Sequence, residues 1–197
     1  MKVNEIFYSL QGEGHFTGTP AVFVRLSGCN LKCDFCDTQH QDGVEMAEDE
    51  IVGEITQFPS RHIVITGGEP LLQLTGRLVD ALHALGCFVQ IETNGTQRLG
   101  AGLAGKIDWI TCSPKYGEVP VVEDIDELKV VFDMDHPEYV ERLVREMSLI
   151  PDICCLQPCD RGDAEFNRRN TDACIDYIMM HPRWTLSLQT HKMLGLR

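Results

Sequence analysis

Cys29-Asn30-Leu31-Lys32-Cys33-Asp34-Phe35-Cys36 sets three thiols in one short polar loop, a C-x3-C-x2-C spacing. Three thiolates this close can hold one inorganic centre, and soft sulfur ligands select zinc or an iron–sulfur cluster. A structural zinc wants four protein ligands. His40, separated from Cys36 by three residues, offers itself as the fourth, which describes a zinc-stabilised binding module. An iron–sulfur cluster usually takes four cysteines. Held by three, a four-iron cluster keeps one iron open to a reactant, as a catalytic metal site must. Three unrelated core cysteines are the weaker reading, because the loop is polar and turn-like.

Two further segments carry polar or glycine-rich chemistry at predicted strand ends. Thr66-Gly67-Gly68-Glu69-Pro70 allows close backbone approach at its glycines, and its carbonyls and carboxylate can accept from an ammonium. Alone it is a turn leading into a helix with Pro at the first position. Cys112-Ser113-Pro114-Lys115 is the second. Taken with these, the cysteine loop resembles the signature of radical S-adenosylmethionine enzymes, with Phe35 at the aromatic position before the last cysteine.

A closer resemblance covers almost the whole chain, to the 7-carboxy-7-deazaguanine synthases of queuosine and 7-deazapurine biosynthesis. It is carried by Asn4-Glu5-Ile6-Phe7, Leu10-Gln11-Gly12-Glu13-Gly14, Arg25, the cysteines with Asp37 and Thr38, Thr66 to Pro70, and Glu92-Thr93. Ser113 to Lys115, Gln157-Pro158 and Gln189-Thr190-His191-Lys192 complete it. The resemblance implies ring contraction of 6-carboxy-5,6,7,8-tetrahydropterin to 7-carboxy-7-deazaguanine with loss of ammonia, begun by hydrogen abstraction at C6. It implies a [4Fe–4S] cluster on Cys29, Cys33 and Cys36. S-adenosylmethionine is expected near Phe35, Cys36, Asp37, Gly68, Glu69, Ser113, Pro114, Lys115 and the segment Gln157, Pro158, Cys159, Asp160. The pterin is expected near Leu10, Gln11, Gly12, Glu13, Arg25, Thr66, His191 and the terminal Arg197. Thr38 matches the family's Mg²⁺ ligand. Arg25 suits a carboxylate, which a guanidinium can grip with two parallel hydrogen bonds. A homodimer and an external electron donor such as a flavodoxin are also implied. A glycyl-radical-type activating enzyme shares the cysteine loop but needs a protein substrate; Arg25 and the LQGEG and QTHK segments favour a small carboxylated heterocycle.

These residues need a scaffold. Runs at 21–26, 62–66, 87–92, 107–111, 127–132, 153–157 and 184–189 read as strands, and 4–8 as an extra edge strand. Helical spacing marks Leu71 to Leu85, Pro137 to Met147 and Thr171 to Met180, the last with Ile175, Ile178 and Met179 inward, and leaves room for one helix between Thr38 and His62. The alternation argues for an α/β fold with mainly parallel strands. A closed eight-unit barrel needs about 250 residues, so 197 residues predict a partial, open β/α barrel of six or seven units as a single domain, 1–197.

Composition narrows the partners. The net charge of −13 argues against nucleic acid, because no basic patch offsets it. Asp42 to Glu50 and Glu118 to Glu141 hold much of the acidity and read as solvated faces. No export signal and no membrane span are expected, and nine cysteines in such a chain point to a reducing, cytoplasmic compartment. Cys154 and Cys155 are adjacent on a strand, so they must point to opposite faces. With Cys159 and Cys174 they are expected as packing residues rather than an auxiliary cluster.

Overall fold

The computed structural model describes residues 1–39 and 41–196. Among these, nine strands form one sheet in the order β3-β1-β2-β4-β5-β6-β7-β8-β9. β1 (Lys2–Leu10) runs antiparallel to β2 (Pro20–Leu26) and to the short β3 (Val44–Glu45). From β2 onward the neighbours are parallel: β4 (His62–Gly67), β5 (Phe88–Thr93), β6 (Trp109–Cys112), β7 (Glu127–Phe132), β8 (Ile153–Pro158) and β9 (Thr185–Leu186). β3 and β9 stand at opposite ends of that order, so the sheet curls without closing. The expected open β/α barrel is what forms.

Side-chain alternation builds its two faces. In β7, Leu128, Val130 and Phe132 point outward and are buried with Val140 and Leu143 of α3 (Glu138–Glu146) and Cys174 of α4 (Ala164–Met180). The outward residues of β2, β4 and β5 bury Ile51 and Ile55 of α1 (Glu48–Ile55) and Leu78, Val79 and Leu82 of α2 (Gly76–Ala84). Inward positions are of another kind: Arg25, Gln90, Glu92, Thr111, Glu127, Lys129 and Gln157. A barrel interior this polar must pair its groups internally or lose several kcal/mol per orphan, and the pairing described below does so.

The loop from Gln11 to Thr19 closes the end of the barrel where the parallel strands begin. His15 stacks on Trp109 at 4.9 Å, and Phe16 meets His62, Phe88 and Trp109 edge-on at 4.8, 5.6 and 4.9 Å. Glu127 lies buried beneath it, accepting from the His15 amide at 3.0 Å, Thr111 Oγ1 at 3.0 Å and Trp109 Nε1 at 3.3 Å. Gly14, at φ +67°, passes so close to that carboxylate that a Cβ there would meet its Cδ at 3.0 Å.

Several expected elements shift. The helix read from Leu71 to Leu85 divides into a 3₁₀ turn at Pro70–Leu72 and α2, because Thr75 caps α2 by accepting from the Leu78 amide at 3.2 Å. α4 starts earlier than read, at an Asp163 cap. Its inward face is Asn170, Cys174, Tyr177 and Ile178, whereas Ile175 and Met179 are exposed. Asn170 sets that phase: its amide donates to the carbonyls of Phe132 and Cys159 and accepts from the Met134 amide. The last strand shrinks to two residues. The connections from β5 to β6 and from β6 to β7 contain no helix, so fewer βα units form than the length suggested. Gly95 and Gly105 in the first connection, and Tyr116, Gly117 and Asp124 in the second, take positive φ, which breaks helical runs.

Candidate active site

The three motif cysteines follow β2 and stand on the rim of the barrel. Cys29 and Cys33 are half-buried and Cys36 is exposed. The loop is braced from two sides. Gly67, the last residue of β4, and Gly68 after it pass under the loop: the Gly68 amide donates to the Leu26 carbonyl at 3.1 Å and the Glu69 amide to the Gly28 carbonyl at 2.9 Å. A Cβ on Gly68 would meet the Cys29 Cβ at 2.9 Å and the Gly28 backbone closer still. The two glycines therefore let strand and loop touch. From the other side the Asp34 amide donates to the Tyr116 hydroxyl at 3.0 Å, with the Tyr116 ring 5.6 Å from Phe35. Asn94 reaches the Cys29 sulfur at 3.9 Å and Asn30 Oδ1 at 3.2 Å.

Among the described residues no group of three His, Cys, Asp or Glu side chains converges as a single metal ion requires. The three thiols instead share one wall of a cavity. Three soft donors on one side and open space on the other fit a multi-iron cluster with one iron left for a reactant. The zinc reading relied on His40, which lies outside the described residues.

The cavity holds about 670 Å³ and runs from the cysteine loop down into the polar barrel. Gly68, Ser113, Lys115, Gln157 and Asp160 line its upper part beside Phe35 and Asp37. Lys115 donates to Ser113 Oγ at 2.8 Å; burial, with Lys129 nearby, pushes its ammonium below the ordinary lysine range. Glu69, Pro114, Pro158 and Cys159 are not on the cavity wall. Glu69 is fully buried, accepting from Thr93 Oγ1 at 2.7 Å, the Asn94 amide at 2.8 Å and the Leu71 amide at 3.0 Å. Burial raises its carboxyl. Its visible work is to tie the TGGEP turn to the end of β5.

Leu10, Gln11, Gly12, Glu13, Arg25, Thr66 and His191 all line the deeper part. Arg25 donates from Nε to Glu5 Oε1 at 2.8 Å and from Nη1 to Thr38 Oγ1 at 3.2 Å, with its guanidinium over Phe7 at 5.7 Å. Lys129, almost fully buried, donates to Glu13 at 2.6 Å and to Glu92 at 3.0 Å. Burial alone would raise the Glu13 carboxyl, but Lys129, through charge and hydrogen bond, outweighs it and holds the group down at about 2. The same carboxylates keep the Lys129 ammonium above its ordinary range despite burial.

The chain end folds over this site through β9 and α5 (Thr190–Met193). Thr190 donates its amide and hydroxyl to the Gly12 carbonyl, both at 2.9 Å, and His191 packs against the Gly12 α-carbon, where a Cβ would overlap its ring. Gln189 reaches Glu13 at 2.9 Å. Lys192 bridges Asp37 at 2.8 Å and Asp160 at 3.1 Å. Lys192 thus joins the cysteine loop to the Gln157–Asp160 segment, and holds Asp37 below its ordinary range against the effect of burial. Arg197 lies outside the described residues.

Sequence reasoning assigned no site role to Asn94, Tyr116 or Lys129, and named Glu5, Gln189 and Lys192 only as members of the segments that carry the resemblance. Lys129 had a signal: it alternates with apolar Leu128 and Val130 in a strand, and so shares the inward face with Glu127. Tyr116 had none, because its positive φ of 54° belongs to the folded loop alone.

Comparison with known proteins agrees with this geometry. The Radical SAM superfamily model matches residues 23–119. A 7-carboxy-7-deazaguanine synthase of Bacteroides thetaiotaomicron is 48% identical over 100% of this chain and 98% of its own length. One of Nitratidesulfovibrio vulgaris is 42% identical over 99% and 98%. The crystal structure of QueE from Escherichia coli superposes with a TM-score of 0.76 at 29% identity, covering 96% of this chain and 94% of that one. Motif, fold and full-length likeness coincide, and the chain belongs to the 7-carboxy-7-deazaguanine synthase family of radical S-adenosylmethionine enzymes, acting in 7-deazapurine biosynthesis.

Proposed function

We propose that the one cavity takes S-adenosylmethionine against the cysteine loop and 6-carboxy-5,6,7,8-tetrahydropterin below it, and that the pterin leaves as 7-carboxy-7-deazaguanine and ammonia. The observation that carries this reading is the continuity of the cavity. Its wall joins three thiols to a guanidinium, a threonine hydroxyl and a lysine–carboxylate cluster in one cavity.

Cys29, Cys33 and Cys36 would hold the [4Fe–4S] cluster. When bound, the cluster and S-adenosylmethionine supply a 5′-deoxyadenosyl radical that takes hydrogen from C6. The chain orients the groups and excludes water. Gly68 presents backbone to the methionine ammonium; Ser113, Lys115, Gln157 and Asp160 flank the rest of the cofactor. Arg25, fixed by Glu5 through Nε, offers its remaining N–H groups to the substrate carboxylate. Thr38 beside it would be the protein ligand of Mg²⁺, with water and substrate completing the shell. Glu13, ionised by its lysine partner, accepts from the N–H edge of the pterin. His191 covers the substrate from the tail, and the end of the chain at Arg197 belongs to the same role. We assign the chain one domain, a homodimeric state, a flavodoxin-like external reductant and a cytoplasmic setting.

The test is anaerobic reconstitution to about four irons per chain, then incubation with S-adenosylmethionine, reductant, Mg²⁺ and carboxytetrahydropterin, with products read by mass spectrometry. The deazaguanine product is expected. Deoxyadenosine without it would remove the substrate assignment, and zinc without iron would remove the radical chemistry.

A further inference from the structure

We propose that Lys129 is a positioning residue for substrate recognition: its ammonium, set between Glu13 and Glu92, holds both carboxylates as acceptors for the N–H donors on the ring edge of the pterin. The inference rests on the pterin reading above.

Lys129 projects inward from the middle of β7, opposite Cys155 of β8, and is 3% exposed. Its Nζ donates to Glu13 Oε2 at 2.6 Å and to Glu92 Oε2 at 3.0 Å. The second oxygen of each carboxylate is also taken: Glu13 Oε1 accepts from Gln189 Nε2 at 2.9 Å and Glu92 Oε1 from Gln11 Nε2 at 2.8 Å. Each carboxylate is therefore fixed at both oxygens, by groups from the N-terminal loop, β7 and the tail, and each still lines the cavity. A carboxylate oxygen has room for a further donor, because the pair of oxygens offers about four lone-pair sites.

Without the lysine, two carboxylates this close and this buried would share a proton. The protonated one would then present a donor where the pterin edge also presents donors, a mismatch that costs the full desolvation of both groups. The other titratable groups facing the cluster are His191 of the tail, Lys115 after β6 and Asp37 of the cysteine loop, which face the carboxylates, and Glu127, which faces Lys129. Among the described residues none of these forms an ion pair with either carboxylate. Lys129 is the cation in contact.

The experiment measures equilibrium binding of carboxytetrahydropterin to reconstituted protein with S-adenosylmethionine present, from about pH 6 to about pH 8, as the ratio of variant to wild-type affinity. The ratio cancels titration of the ligand itself. K129M is expected to bind at least about tenfold more weakly at the acid end, with the deficit shrinking as pH rises and the shared proton leaves. E13Q/K129M removes one charge of each sign and is expected to show a deficit of about tenfold that does not change with pH. A lysine that merely packs the strand would give no pH-dependent ratio. K129M binding like wild type at every pH overturns the proposal. If K129M does not fold or load iron, the double variant is compared with E13Q alone: equal affinities support the proposal, because a lone carboxylate has no partner with which to share a proton, and a further pH-independent loss, the mark of a packing residue, overturns it. A wild-type protein that binds S-adenosylmethionine but no pterin overturns the functional reading instead.

Discussion

Arg25 shows how a single side chain is prepared for work. Glu5 and Phe7, both on β1, and Thr38 of the cysteine loop hold the guanidinium on the cavity wall. Arg25→Ala is expected to raise the KM for the carboxylated pterin by about tenfold to a hundredfold, the loss of one charge-assisted pair of about 1.5–3 kcal/mol, with iron content unchanged. Unchanged KM would refute the assignment. Arg25→Lys should recover little, because an ammonium cannot make the two parallel bonds. Glu13 carries a second consequence. Its carboxyl sits at about 2 when folded against an ordinary 4.5, so its contribution to stability is complete above about pH 4.5 and is lost as pH falls toward 2. Urea unfolding between those limits should show a steeper acid loss in wild type than in Glu13→Gln; equal slopes would contradict the ion-pair account. The cysteines outside the motif divide as expected. Burial pushes the thiols of Cys154, Cys155 and Cys159 up to about 11 and those of Cys112 and Cys174 to about 12, the behaviour of packed, unreactive sulfur.

At the scale of elements, the end of β4, where Gly67 closes the strand and Gly68 follows it, matters most. Gly68 lies where β4 and the cysteine loop touch, and an added methyl would push into the Gly28 backbone. Gly68→Ala should cost about 1–3 kcal/mol of stability and leave the protein short of its iron on reconstitution. Full iron with an unchanged melting point would show that loop and strand need not touch. Leu143, fully buried between α3 and the sheet, offers a control away from the site: Leu143→Ala should lose about 2–5 kcal/mol while iron per folded chain is kept. The strands were legible because period-two alternation writes both faces of a sheet into the sequence. The helices were legible only where one apolar face ran without interruption. α4 was misphased because Asn170, a polar residue, fixes its orientation through backbone carbonyls of β7 and the turn after β8, and no apolar count registers such a bond. The helix-free crossovers carry their breakers openly, Gly95, Gly100, Gly102 and Gly105 in one and Pro114, Gly117 and Pro120 in the other, and only the count of βα units taken from chain length overshot.

For the molecule as a whole, the sequence placed the motifs at strand ends and thus on one face, and the sheet brings them there. The resemblance set Gly12 and His191 about one substrate, which composition and periodicity alone did not disclose. Gly12 and His191 are far apart in sequence and touch, because the N-terminal loop enters the barrel from one end and the tail covers it from the other. The acidic charge also takes on local meaning at the centre, where Glu13, Glu92 and Glu127 surround one lysine in a chain of net charge −13. Among the described residues no helix is long and apolar enough to cross a membrane. The central claim is that a radical formed at the cysteine loop reaches C6 of a pterin held by Arg25 and the Lys129 cluster. The direct measurement is turnover of carboxytetrahydropterin deuterated at C6 by the reconstituted enzyme. Deuterium should appear in the recovered S-adenosylmethionine and deoxyadenosine alongside the deazaguanine product, and product formed with no deuterium in either would contradict the account.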